Sequence, residues 1–154
     1  MATAHSTLTG ADLHEPKGVA SANADDIYIA SGSGSGAWTA ADNNIYLSVT
    51  MADVSTAGSV WIPSPCVGNI TKIQTIINGA IGTSDVVISS EINGTAVTNG
   101  NVTITQSGSA AGDVDSSSPS ANRTLAIGDK LEAITNGAST NTIIATIMYT
   151  IAPA

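Results

Sequence analysis

From Asn43 onward the chain alternates in character: Ile45, Leu47, Val49 and Met51 are apolar, and Tyr46, Ser48 and Thr50 stand between them. A period of two places one set on a buried face and the other on a more polar one, the pattern of a half-buried β-strand. Similar runs predict further strands at 59–62, 69–77, 85–92, 102–106, 124–127, 130–135 and 142–151. Short strands at this spacing predict an all-β, antiparallel β-sandwich over 43–154. Asn78-Gly79, Asn93-Gly94, Asn99-Gly100 and Asn136-Gly137 each fall between apolar runs. Asn-Gly accepts the positive φ angles of tight hairpins, so these pairs are expected to be the turns. The stretches 20–24 and 108–111 contain helix-permissive residues but carry no apolar stripe at helical spacing.

The closing strand bears on assembly. Ile143, Ala145, Ile147, Tyr149 and Ile151 share one face, which is expected to point into the core. The other face interleaves Ile144 and Met148 with Thr142, Thr146 and Thr150. Two large hydrophobes there fit either of two arrangements: a subunit interface of a homo-oligomer, or a central strand covered by its own chain.

Residues 1–42 have a different texture, rich in Ala, Ser, Gly and Asp and ending in Ser31-Gly32-Ser33-Gly34-Ser35-Gly36-Ala37-Trp38. A Ser-Gly alternation buries too little apolar surface to offset its conformational entropy, so the segment reads as an extended N-terminal arm with a Ser/Gly linker. Leu8, Leu13, Val19, Ile27, Tyr28, Ile29 and Trp38 punctuate it. They are either anchors for a partner surface or incidental hydrophobes of a disordered tail. His14, Glu15 and Lys17 beside Pro16 could fix register on such a partner, or form a solvated turn.

Composition narrows the function classes. The 154 residues include no Phe, and four Lys+Arg stand against twelve Asp+Glu, for a formal net charge of -8. Without a basic run to neutralise phosphates, direct nucleic-acid binding is not expected. Apolar runs fall short of the roughly 20 residues that cross a bilayer, and the beginning Met1-Ala2-Thr3-Ala4-His5-Ser6 has no basic segment followed by an apolar one. A soluble chain made in the cytoplasm, with no membrane partner, is the expectation. Cys66 is the one cysteine, and Pro65 and Val67 beside it offer no base or cation, so it reads as an inert thiol.

Catalytic and metal chemistry finds little to build on. His5 and His14 both lie in the arm, with no His or Cys at metal-ligand spacing, and an arm lacks the rigidity that general-base work requires. Asp25-Asp26 and Asp113-Val114-Asp115-Ser116-Ser117 could contribute to a Ca²⁺ site but lack EF-hand periodicity, and read as solvated loop charges. Among glutamates only Glu15, Glu91 and Glu132 occur, and nothing in the order of residues sets two of them across a cleft. Four Asn-X-Ser/Thr matches are expected by chance in a chain this rich in Asn and Thr. The expectation is a protein that is not an enzyme and holds no cofactor or metal.

The stretch Leu8-Thr9-Gly10-Ala11-Asp12-Leu13-His14-Glu15-Pro16-Lys17-Gly18-Val19-Ala20, continuing to Asp26-Ile27-Tyr28-Ile29 and Gly34-Ser35-Gly36-Ala37-Trp38-Thr39, resembles N-terminal segments of tailed-bacteriophage capsid decoration and head-fibre proteins. The resemblance covers the first quarter of the chain and is diffuse over the body, through its strands and the closing Tyr149-Thr150-Ile151-Ala152-Pro153-Ala154. It implies a jelly-roll-like β-sandwich, usually trimeric, that cements the outer surface of an icosahedral capsid. The implied partners are the major capsid protein and further copies of the chain. On that reading Leu8, Leu13, His14, Glu15, Lys17, Val19, Ile27, Tyr28 and Ile29 form the capsid-binding arm, and Ile144 and Met148 the contact of a homotrimer. The alternative is a head-fibre or tail-fibre module that binds a host-surface glycan or receptor, for which five aromatic residues in all, two Trp and three Tyr, are few.

Overall fold

A computed structural model describes residues 22–24, 26–32 and 35–154. The chain divides into two units between Asp42 and Asn43. Among the described residues all regular structure is β.

The first unit contains β1 (Asp26–Gly32) and β2 (Ser35–Ala40), an antiparallel hairpin. Ser31, Gly32, Ser35 and Gly36, expected to be linker, belong to its strands. Composition misleads here because the Tyr28 ring lies over Gly36, within 2.6 Å of where a Cβ would be. A missing side chain at that position makes room for the aromatic ring reaching over from the neighbouring strand.

The second unit comprises β3 (Ile45–Met51), β4 (Gly58–Pro63), β5 (Gly68–Ile77), β6 (Val86–Ile92), β7 (Thr95–Ala96), β8 (Val102–Ile104), β9 (Val114–Ser117), β10 (Thr124–Leu125), β11 (Lys130–Thr135) and β12 (Ala145–Pro153). One sheet runs β3-β12-β5, with β9 and β10 sharing the far edge of β5. The other runs β4-β11-β6, with β7 and β8 sharing the far edge of β6. Counting each shared edge as one interrupted strand, the chain fills four positions per sheet and crosses between sheets at nearly every connection. That order is the antiparallel jelly roll.

The two inner faces supply one core. Ile70, Ile73 and Ile77 of β5 meet Val86 and Ile88 of β6, Leu131 and Ala133 of β11, and Ile147, Tyr149 and Ile151 of β12. Each large aliphatic residue so buried contributes about 1.5–3 kcal/mol relative to exposure. The predicted inner face of the last strand is all buried, from Ile143 to Ile151. Tyr149 keeps its hydroxyl satisfied in this apolar setting through a 3.0 Å hydrogen bond with Ser90 Oγ of β6.

Ile70 and Ile73 are three residues apart, which simple alternation would send to opposite faces. The register of β5 against β12 slips between Thr150↔Lys72 and Ile151↔Ile70, leaving Thr71 as an extra residue. The bulge returns both isoleucines to the core, and the Thr71 hydroxyl donates to the Thr150 carbonyl at 3.2 Å.

Only one of the four Asn-Gly pairs is a two-residue hairpin with positive φ at both positions. Asn93 and Gly94 (φ 52° and 83°) join β6 to β7, as a type I′ turn requires. Asn99 alone of its pair has positive φ, Gly137 alone of its pair, and neither residue of Asn78-Gly79 does. These three lie in longer connections whose side-chain and tertiary hydrogen bonds set the geometry: Asn78 Oδ1, for example, accepts from Ile144 N at 2.8 Å. Four further elements depart from expectation. β7 and β9 were not foreseen, being short and mostly polar; the last strand begins at Ala145, which leaves Ile144 just before it; and β10 ends at Leu125, with Ile127 exposed beyond it.

Candidate interaction surfaces

The hairpin sorts its residues by face. Tyr28 pairs with Trp38 across the strands, and their rings meet edge to face at 5.4 Å between centroids and 62° between planes. Such a pair is worth about 0.5–1.5 kcal/mol beyond the area it buries. Ile27 and Ile29 alternate with Tyr28 and so point the other way, beside Thr39 and Ala37. They are 51% and 52% exposed. Of the expected arm residues, the structure places Ile27, Tyr28 and Ile29 together in β1 and gives Tyr28 an intramolecular partner. Leu8, Leu13, His14, Glu15, Lys17 and Val19 lie outside the described residues, as does His5.

On the sandwich, β12 is central in its sheet, between β3 and β5, yet its outer face is open. Ile144 is 41% exposed and Met148 is half-buried. Met148 lines a shallow trough of about 390 Å³ with Ser48, Gln74, Ile76, Val114 and Thr146. Strand pairing explains the grouping, since Ile76 stands opposite both Thr146 and Val114, and Met148 opposite both Ser48 and Gln74. Ile76 and Val114 were missed in the sequence. The available signals were slight: Ile76-Ile77 breaks the alternation of β5, and Val114 is a lone hydrophobe between two aspartates.

The chain matches no protein-family model and no curated protein. What it does has to be read from these surfaces.

The acidic residues behave as the geometry dictates. Asp53 caps a turn: its carboxylate accepts from Thr56 Oγ1 at 2.7 Å and from Ser55 N at 2.9 Å, and these bonds, with a weaker one from Ile143 N, hold its pKa below the usual carboxylate value. Asp129 is held low in the same way by Ala126 N and Asn93 Nδ2. Asp115 goes up, first because β9 draws it away from water and then because Asp113 and Asp85 repel its charge. Among the described residues no three His, Cys, Asp or Glu side chains gather as a metal site would need. Cys66 is half-buried and unpaired by any disulfide. Two glutamates that the sequence left apart are brought together: Glu91 and Glu132 stand opposite each other on β6 and β11. No helix among the described residues is long and apolar enough to cross a membrane.

Proposed function

We propose that this chain is a structural component of a bacteriophage-type virion, a decoration protein that binds the outer surface of the capsid and cements it. The carrying observation is the pair Ile27 and Ile29, half in solvent on a hairpin that lies in a separate unit from the sandwich. A two-stranded hairpin is marginal by itself, and an apolar face on it gains most from a partner surface that completes its burial. The resemblance of the N-terminal segment to decoration and head-fibre proteins supports the same reading. The jelly roll agrees as a fold that capsid proteins use, which is support by analogy.

On this reading the sandwich is the oligomerisation body. Copies associate as a homotrimer through the outer face of β12, around Ile144, Met148, Ile76 and Val114. Each arm binds weakly because ordering it costs conformational entropy, and three arms on one trimer raise the effective concentration for one another.

The test mixes undecorated capsids with the intact protein, with the full chain carrying I27D and I29D, and with a chain starting at Asn43. Both altered forms are expected to remain trimeric and to lose most of their binding. Equal decoration by all three would move attachment to the sandwich. Negative-stain imaging of labelled protein on whole virions is expected to place the label over heads; label on the tail would overturn the decoration reading in favour of a fibre module.

A further inference from the structure

Strand pairing lines up Trp61 of β4, Glu132 of β11 and Glu91 of β6 in a single row across the outer face of the second sheet. Adjacent strands lie about 4.8 Å apart, so Glu132 and Glu91 stand opposite each other on the two central strands, with Trp61 opposite Glu132 on its other side. Trp61 is 60% exposed, and the glutamates are half-buried. Among the described residues neither glutamate receives a side-chain hydrogen bond or an ion pair. Lys130 lies two residues along β11 on the same face, opposite Pro63 rather than opposite a carboxylate.

Like charges directly across neighbouring strands destabilise a sheet. A large exposed indole beside them adds an apolar surface left to water. One kind of occupant turns both features into attractions. A guanidinium stacks its plane on an indole face and offers a rigid fork of N–H donors to carboxylate oxygens. A chain with a formal net charge of -8 also draws basic partners toward itself.

We infer that the Trp61–Glu132–Glu91 row is a docking site for an arginine side chain presented by a partner protein. Charge complementarity selects a cation, and the flat indole selects arginine over lysine, whose ammonium is a compact point charge without a plane to stack. The site belongs to the sandwich and does not rest on the capsid reading of the hairpin.

Full-length protein carrying W38F leaves Trp61 as the sole tryptophan. Its fluorescence is titrated with a blocked Gly-Arg-Gly peptide, with the lysine and citrulline analogues, and with glucose and N-acetylglucosamine. The expected result is saturable, salt-sensitive perturbation by the arginine peptide in the millimolar range, with citrulline at least tenfold weaker. Glu91→Gln and Glu132→Gln are each expected to abolish binding while raising thermal stability, since each removes the carboxylate repulsion. Three results would each overturn the inference: citrulline binding as well as arginine, the glutamine variants binding like the parent, or no response to arginine. A response to the sugars alone would likewise overturn it and make Trp61 a carbohydrate platform.

Discussion

Removing the Tyr149 hydroxyl should show how much the core depends on its one buried tyrosine pair. Y149F leaves Ser90 Oγ without a partner in an apolar setting and is expected to cost about 1–3 kcal/mol in urea denaturation. Adding S90A should restore a large part of the loss, because removing both partners also removes the orphan. The same residue sets an alkaline limit. Burial pushes Tyr149 up to about 12, against a weaker downward pull from Ser90, so the native state holds its proton longer than the unfolded chain does. Its contribution is complete below about pH 10 and is lost as pH rises toward 12. Absorbance at 295 nm should show one tyrosine ionising only there or on unfolding. Asp115 is raised too, but as an acid it acts in the carboxylate range: its ionised form opposes folding, and the opposition is relieved as pH falls through its folded pKa. D115N is therefore expected to raise Tm at neutral pH, with the gain shrinking in acid; an unchanged Tm at pH 7 would deny that burial of the charge and its repulsion by Asp113 and Asp85 oppose folding. At Gly137, φ is +62° and a Cβ would collide with the backbone of Thr56 and Ala57. G137A is expected to cost about 2 kcal/mol or more.

Among elements, the hairpin and the sandwich should fail separately. G36A would drive a methyl into the Tyr28 ring and the Ile29 carbonyl. The expected outcome is loss of the near-ultraviolet dichroism of the Tyr28–Trp38 pair with the main melting transition unmoved. A common shift of both signals would mean that the units are energetically coupled. Which elements could be read in the sequence follows from where their stability comes from. β3, β5, β6, β11 and β12 each turn a row of apolar residues toward the core, and their near-regular alternation, broken by the bulge in β5, announced them. β9 buries almost nothing apolar and exists because its backbone completes the edge of β5, which no pattern of side chains reports. β1 and β2 were hidden for a related reason: Gly36 reads as flexibility in sequence, whereas in space it is the floor under an aromatic ring. The turns were partly legible: Asn93-Gly94 takes positive φ at both residues and closes a two-residue hairpin, whereas the other three pairs lie in longer connections.

For the molecule as a whole, the candidate surfaces divide along the same line. Ile144 and Met148 were readable as hydrophobes on a polar face, but the trough needed β9 brought alongside β5 to add Val114, and the row at Trp61 needed three strands from distant parts of the sequence. If the proposed trimer forms through this face, replacing Ile144 and Met148 by Asp is expected to convert it to monomer in sedimentation velocity; an unchanged sedimentation coefficient would deny that interface. The arrangement of β12 also has a consequence in time. Among the described residues β3 finds its strand partner only in β12, with Ile45 against Ile151, so the first strand of the sandwich must wait for the last. Pairings this distant in sequence slow folding, because loop closure precedes its reward. A nascent chain therefore carries β3 with nothing to zip against until synthesis has nearly run the length of the body. Ribosome-stalled chains carried on an added C-terminal tether should be protease-sensitive and bound by chaperones while β12 is still inside the exit tunnel, then become resistant within one narrow window of tether length as that strand emerges.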